Sequence, residues 1–528
     1  MIELAVLIAN AAILTLEVVG GRALTPYFGG SAEVWAGILA VILAGLAIGY
    51  HFGGKIADRK KDIPARRRLL AWSLALGGVA IMVSWPFLDA VASAGAGIAA
   101  HTSLTVGAAF AALLLLFPGS LLLAASSPIA AKLKILSMEG SASAVGRLSA
   151  IAAIGSVLGS LSAGLFLIPA FGSKETLFGG GIVLLFLSIA VIGATRRMSA
   201  SAIAAGAVSG AIGIQSVFGA NLAVSVPGTL IADKETRYNR IWIYDTPKAS
   251  DGTYYRLVKT DPLGIQCGAL MTGSDAAHAS DVPIFSYTQS FDAFLERAED
   301  VKDVLVIGGC NYSYPRHIAD ALPNAHVDVA EIDPGMADIA KTYFGFAPGG
   351  RIDSIFEDGR TYLNENVAST SVRYGAIFVD AYNSLLTIPP QLMTKEAFAR
   401  MQGSLAPGGI LVFNLISTFE GPGSSYLASV LATLKAAFPT VAVFKINANA
   451  PDTAQNLIVA AGIDATGAAR IDAVAKTGMT VDLTRYGITL TRVPDASLPT
   501  NGAIVLTDDY APVEALTEPL RNLQQKNL

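Results

Sequence analysis

The chain has 528 residues, room for two or three domains, and 52% of them are hydrophobic against only 15% charged. A net charge of −4, with no run of Lys and Arg interleaved with aromatics in the second half, leaves no electrostatic footprint for nucleic acid. Cys267 and Cys310 form no disulfide framework and have no CxxC partner, and His51, His101, His278, His317 and His326 lack metal-ligand spacing, so neither framework nor metal is expected.

Charge is sparse before about residue 232 and ordinary after it. Uncharged stretches at 4–24, 34–54, 69–88, 104–124, 148–169, 176–195 and 202–224 are each long enough, as helices, to cross about 30 Å of hydrocarbon. The first lacks a basic n-region and is followed by further spans, so it reads as a span and not as a cleaved signal. In GSVLGSLSAG (155–164), Gly155, Gly159 and Ser160 permit close helix approach. Lys55, Arg59, Lys60, Lys61, Arg66, Arg67 and Arg68 follow the second span, Lys132, Lys134 and Arg147 the fourth, and Arg196 and Arg197 the sixth. The positive-inside rule places all three loops in the cytoplasm. Seven crossings would then put the second half on the far side, whereas the ligand it is read to bind belongs in the cytoplasm. Either one segment does not cross, an eighth is hidden, or the second half lies outside; the third span, with Pro86 and the Gly-rich 93–100 region, is the most doubtful of the seven. Glu17 and Arg22, five apart in the first span, are either functional or a snorkelling arginine and a paired acid. Glu33 and Trp35 read as interfacial. GGKIADRKK (53–61) resembles the basic loop after the second helix of major-facilitator transporters.

From 227 to 284 the pattern changes. YNRIWIY (238–244) and YYRLVK (254–259) alternate like hairpin strands, so a small β-unit is expected there, followed by Gln266 and Leu270. FSYTQSFDAF (285–294) reads as a helix presenting Tyr287 and Gln289. Apolar strands are then expected at 304–307, 326–330, 352–356, 376–379, 410–415, 441–444 and 457–460, with helices such as 334–343, 395–405 and 425–438 between them. This spacing predicts a parallel, doubly wound α/β sheet over 285–464, with ligand outside the carboxyl ends of the strands, and a C-terminal extension, 465–528.

Chemistry-bearing residues fall where such a sheet puts them. Gly308 and Gly309 end the first strand and let the backbone approach a ligand. Glu331 ends the second strand, where a carboxylate can accept hydrogen bonds from both ribose hydroxyls. Asp358, followed by Gly359, ends the third, within reach of an adenine amino group. Asp380 ends the fourth, facing the same crevice. Each has a plainer reading, Glu331 or Asp358 as a helix cap and Asp380 as a turn residue; together they point to a ligand containing adenosine.

These stretches resemble the spermidine synthase (polyamine aminopropyltransferase) family, and within it a membrane-fused bacterial branch that joins a multi-helix N-terminus to a synthase-like domain. LEVVGGRALTPYFGGS and GLAIGYHFGGKIADR carry the likeness in residues 1–226. YNRIWIY, GIQCGALM, YTQSF, VLVIGG, VAEIDP, FEDGRTYL, FVDAYNS, LAPGGILVFNL and LTDDYAPVE carry it beyond. The resemblance implies a polytopic helical domain in the bacterial inner membrane, then a small β-domain and a Rossmann-like, S-adenosylmethionine-dependent transferase-type domain. It implies a decarboxylated S-adenosylmethionine donor, an amine acceptor such as putrescine and no metal; a homo-oligomer is an open alternative. By position it makes Glu331 the ribose acid, Asp358 the adenine acid, Gln266 and Tyr287 pocket residues, and Asp380 the first acid of a D-[ST]-[ST]-D motif.

Two departures bear on the reaction. The family's G-G-G-D-G becomes GGCNY, so Asn311 stands where an acid holds the donor's ammonium, and Asn383 replaces the second acid of the motif. An aspartate beside the methionyl tail disfavours a tail carrying a carboxylate, since like charges about 4 Å apart cost roughly 4 kcal/mol at an effective dielectric of 20. Asn311 lifts that penalty, so intact S-adenosylmethionine is expected to be accepted, with Arg316 as a carboxylate partner; the alternative is that Asn311 only caps the next helix. An amide at 383 cannot serve as a base, which leaves Asp380, Asp508 and Asp509 as candidates, the last two on a segment that is either a lid or an exposed turn. Three readings follow: alkyl transfer (aminopropyl or methyl) to an amine, acceptor-independent cleavage or cyclisation releasing methylthioadenosine, and a ligand-binding transporter or sensor.

Overall fold

The computed structural model of the chain describes residues 1–99, 101–135, 141–192, 228–261, 264–273, 275–297, 301–369, 372–382, 388–447 and 449–526. It divides into two compact units, Met1–Ser225 and Val226–Leu528.

Among the described residues the first unit is helical throughout: α1 (Ile2–Phe28), α2 (Ala32–Arg59), α3 (Ile63–Ser84), α4 (Leu88–Ala99), α5 (Leu104–Leu115), α6 (Phe117–Ala124), α7 (Ser126–Lys134), α8 (Ser141–Ser162), α9 (Ile168–Phe171) and α10 (Ser173–Ile192). Among the described residues, five helical segments are long and apolar enough to cross a membrane: Ile2–Phe28, Ala32–Arg59, Ile63–Ala99, Ser141–Phe171 and Ser173–Ile192. Helix α5 and the segment Phe117–Lys134 pass the same test only together, as a pair bent by 53° that is either one broken span or a re-entrant loop. Pro118, in the first turn of α6, has no N–H to give the preceding turn, which is the physical reason for the bend. The doubtful third span is, by length and composition, one of these five. Pro86 sits in a short 3-10 turn, Trp85–Phe87, through which the chain passes from α3 straight into α4. The expected seventh span, 202–224, lies outside the described residues, as do Arg196 and Arg197.

Small residues set the spacing of these helices. A Cβ on Gly155 would lie 2.3 Å from the Leu7 carbonyl oxygen, and one on Gly159 would lie 2.2 Å from that of Ala11, so α8 touches α1 backbone to backbone. Gly78 of α3 and Gly181 of α10 meet in the same way. Two of the basic stretches come to one end of the bundle: Lys132 pairs with Asp58 at 2.7 Å, and Arg66 donates to the Lys132 carbonyl at 3.4 Å.

The second unit begins with an antiparallel four-stranded sheet in sequence order, β1 (Thr229–Glu235), β2 (Arg240–Asp245), β3 (Tyr254–Lys259) and β4 (Cys267–Met271). Helix α11 (Ser286–Leu295) leads into the main fold: β5 (Asp303–Ile307), α12 (Ser313–Ala321), β6 (His326–Ala330), α13 (Pro334–Phe344), β7 (Ile352–Ile355), α14 (Gly359–Ser369), β8 (Tyr374–Val379), α15 (Lys395–Ser404), β9 (Leu405–Ser417), α16 (Ser424–Lys435), β10 (Thr440–Ile446), β11 (Gln455–Gly462), α17 (Ala465–Val474), β12 (Thr480–Leu483), β13 (Ile488–Arg492) and α18 (Val513–Lys526).

These strands form one nine-stranded sheet in the order β12-β13-β10-β11-β9-β8-β5-β6-β7. Alternate residues of β5 feed opposite faces, Val304 and Val306 into one apolar cluster and Leu305 and Ile307 into the other. Strands β7, β6, β5, β8 and β9 are mutually parallel, and the order reverses between β5 and β8, which opens a crevice at their carboxyl ends. The sheet is mixed where a parallel one was expected: β11 runs antiparallel to both β9 and β10. The eight residues between β10 and β11 hold no helix, and a parallel return needs a crossover of a dozen or more. Nor does the sheet end at residue 464, because the β12–β13 hairpin adds two strands beside β10.

Candidate active site

The crevice floor is set by register. Ile307 pairs with Ala330 and with Val379, so the residues that follow, Gly308, Glu331 and Asp380, emerge side by side. The Asp380 N–H donates to the Ile307 carbonyl at 2.9 Å and the Gly308 N–H to that of Ala330 at 2.9 Å, carrying the ladder one step past the strands. Gly308 has φ 97°, and a Cβ there would stand 2.6 Å from the Asp380 carbonyl oxygen. Both facts demand glycine at the seam.

Glu331 is buried and turned onto the glycine loop. One oxygen accepts from the N–H groups of Gly309 (2.8 Å) and Cys310 (3.3 Å), the other from that of Asp333 (2.9 Å). Burial raises its pKa, and those three donors pull the other way. Asp358 caps α14, accepting from Arg360 N–H at 2.9 Å and Thr361 N–H at 3.2 Å, and its second oxygen accepts from Gln391 Nε2 at 3.1 Å. The plainer capping role is therefore real. Gly359 lies flat on β5, where a Cβ would meet the Ile307 side chain at 2.7 Å.

Asp380 accepts a hydrogen bond from Tyr287 Oη at 2.9 Å, so α11 does bring Tyr287 to the end of β8. Removal from water pushes the Asp380 carboxyl up to about 7, with the Tyr287 hydrogen bond opposing the shift. Tyr382, two residues on, donates to the Asn414 carbonyl at 2.8 Å, and burial followed by the Asp380 charge lifts its phenol well above its usual range. A carboxyl that titrates near neutrality between two tyrosines is suited to taking a proton from an incoming nucleophile. Asn383 lies outside the described residues.

Asn311 is 1% exposed. Its Oδ1 accepts from Ser313 Oγ at 2.9 Å and Ser313 N–H at 3.4 Å, which fixes the oxygen toward α12 and turns the NH2 group away. That NH2 has no partner, and the same is true of the buried Nε2 of Gln266. A disulfide joins the next residues along, Cys267 and Cys310, with their Cα atoms 6.4 Å apart. This corrects the expectation of unlinked cysteines. Spacing along the chain could not show it, since β4 and the glycine loop meet only in the fold.

Other expectations fail at this level. Arg316 is no carboxylate partner: it donates to the Phe344 and Ala279 carbonyls and pairs with Asp281. Asp508 is engaged by Arg360 (2.6 Å) and Thr394 (2.6 Å), and its own N–H donates to Glu396 at 3.0 Å, so it is a tether at the α14 and α15 termini instead of a spare base. Gln289 donates to the Pro283 carbonyl and fixes the start of α11. Some groups escaped sequence reasoning altogether. Asn414, 2% exposed within β9, has an unpartnered Oδ1 next to the Asp380 strand end; its only signal was an amide inside the apolar run GGILVFNL. Buried Asp292 on α11 gathers His317 (2.9 Å), Arg485 (2.6 Å) and Tyr486, the last two from the β12–β13 turn. The rings of Tyr287, Phe291 and Tyr314 stand in succession between Asp380 and this His–Asp pair. At the amino ends of the strands, His326, Asp328 and Asp353 bring potential metal-ligating atoms within 4.8 Å of one another, where the aspartates already satisfy the imidazole.

Residues 285–459 match the family model described as the spermine/spermidine synthase domain. The polyamine aminopropyltransferase of Vibrio vulnificus is 35% identical over 115 residues, 22% of this chain and 38% of that protein. The human eEF1A lysine and N-terminal methyltransferase is 30% identical over 150 residues, 27% of this chain and 21% of that one. Among solved structures, that of a probable spermidine synthase from Corynebacterium glutamicum aligns with a TM-score of 0.38 and 17% identity, over 54% of this chain and 96% of its own. The chain thus spans well under half of the curated relatives named here. The sheet-bearing unit holds the segment that is similar to the spermine/spermidine synthase domain.

Proposed function

We propose that the second unit is an alkyltransferase that binds an adenosyl-sulfonium donor in the β5–β8 crevice and passes a sulfur-bound group to an amine. Its place is the cytoplasmic face of the bacterial inner membrane, with the helical unit as its anchor. The observation that carries the reading is the alignment of Gly308, Glu331 and Asp380 at the ends of adjacent parallel strands, with Asp358 at the end of the next. Glu331 would take a ribose hydroxyl through the oxygen that accepts only the Asp333 N–H and so retains acceptor capacity. Asp358 would take the adenine amino group.

The sulfonium supplies the leaving group, a neutral thioether, and the domain positions a nucleophile in line with the carbon that moves. An acceptor that arrives as an ammonium must give up a proton to free its lone pair for attack, and Asp380, with its carboxyl pushed up to about 7, is the group to receive it, with Tyr287 orienting its carboxylate. The unpartnered NH2 groups of Asn311 and Gln266 favour intact S-adenosylmethionine over the decarboxylated donor, because both offer donors to a carboxylate and neither repels it.

Mass spectrometry of the full-length protein incubated with S-adenosylmethionine, with and without a set of amines, tests this. Product only in the presence of amine is expected, with S-adenosylhomocysteine or methylthioadenosine as by-product reporting which carbon moved. Methylthioadenosine without acceptor would replace transfer by donor cleavage, and absence of both binding and turnover would overturn the assignment.

A further inference from the structure

The Cys267–Cys310 bond sits where it can control the donor site. Each cysteine adjoins one of the two unpartnered amides, Gln266 before Cys267 and Asn311 after Cys310. The bond ties β4 of the small sheet to the glycine loop, within an apolar cluster formed with Ile241, Val258, Met336 and Phe344. The loop it holds is conformationally costly: Cys310 has φ 43° and Tyr312 φ 60°, two non-glycine residues in the left-handed region within three positions. Such backbone persists only where its surroundings fix it. Here the surroundings are the Glu331 carboxylate, which accepts the Cys310 N–H, and the bond to Cys267.

We infer that this disulfide is a redox-operated clamp on the donor site, closed when oxidised and released when reduced. The inference rests on the donor reading given above and adds a control to it. Cys267 is buried at 6% exposure while Cys310 is half-buried on the loop, so an attacking thiolate reaches the Cys310 sulfur. A dithiol reductant forms a mixed disulfide with Cys310 and expels the Cys267 thiolate. Its second thiol then displaces Cys310, leaving two protein thiols and an oxidised reductant, with two electrons and two protons transferred. Closure is the reverse exchange, with a disulfide as oxidant. Once released, Cys310 can leave the left-handed region, its N–H parts from Glu331, and the amides of Asn311 and Gln266 lose their common register. Linkage requires the converse as well: a donor seated on the loop must protect the bond from reduction.

Calorimetry on the full-length protein in detergent, titrated with S-adenosylhomocysteine, reads the effect directly. Reduction with dithiothreitol should weaken binding about tenfold, the loss expected if the ready loop falls to roughly a tenth of the population. Oxidised glutathione should restore affinity in the wild type. Cys267→Ser should bind like the reduced protein and ignore the oxidant. In a maleimide gel-shift assay, S-adenosylhomocysteine should slow the appearance of free thiols. Equal affinity in the two redox states, tighter binding after reduction, or failure of oxidised glutathione to close the bond would each overturn the clamp and leave the donor reading standing. Absence of binding in every state would overturn both. If Cys267→Ser does not fold, the reduction and reoxidation cycle on the wild type decides the matter alone.

Discussion

Asp380 concentrates the chemistry of the crevice, because its environment charges a cost for the ionised form that the reaction uses. Asp380→Asn should lower turnover by about 10²–10⁴-fold, the range for loss of a general base, while binding of S-adenosylhomocysteine changes little. In the wild type the rate should climb with pH through about 7 as the carboxyl ionises. The same shift affects stability. An unfolded aspartate titrates near ~3.9, so the folded form gains from holding its proton below that value and loses the gain as pH rises to about 7. Asp380→Asn should therefore melt higher than wild type at pH 8, by on the order of 1 kcal/mol given the group's partial access to solvent, with the gap closing by pH 4. Glu331→Ala removes the acceptor of three backbone N–H groups as well as the proposed ribose ligand. It should weaken donor binding by roughly 1–3 kcal/mol in calorimetry, and an unchanged dissociation constant would end its ribose assignment. At this scale the sequence was a fair guide to the acids, since strand ends can be counted from apolar runs. It was a poor guide to the groups around them: Asn414, Gln391 and Arg316 owe their surroundings to neighbours far along the chain.

Elements were legible where one period dominated. The five parallel strands stand close to the positions expected of them, because continuous Val/Ile-rich runs bounded by Gly and Asp admit few other readings. Strand direction was less accessible, for an apolar run of seven residues looks the same whichever way it is paired; only the missing helix between β10 and β11 betrayed the reversal. In the helical unit, the Gly155/Gly159 contact was foreseeable from small residues four apart, and the partner helix was not. Gly159→Leu would drive a side chain into the α1 backbone, where even a Cβ stands 2.2 Å from the Ala11 carbonyl oxygen. Its detergent melting temperature should fall clearly below that of wild type, whereas Gly164→Leu, with open space around its Cβ, should not lower it.

On the scale of the whole chain, composition already separated two kinds of unit, one of them rich in apolar helices. What composition cannot supply is the side of the membrane on which the second unit works. The basic ends at Lys55–Arg68 and Lys132–Arg147 belong in the cytoplasm by charge. Under the proposed arrangement a fluorescent protein fused after Leu528 should light up in bacterial cells, and a periplasmic reporter at the same place should stay inactive. The opposite pair of results would move the donor crevice outside and remove its supply of S-adenosylmethionine.

The Asp292 hub bears on how such a chain comes into being. Arg485 lies 193 residues beyond the aspartate it binds, and Tyr486 lies 194 beyond. A ribosome translating this message will have released α11 long before it makes the hairpin that steadies it. Until then the helix bearing Tyr287 carries a carboxylate short of two of its three donors. Under the proposed function, the support of Tyr287 is thus deferred to the last stages of translation, and a chain cut short before residue 485 should bind S-adenosylhomocysteine more weakly than the full-length protein.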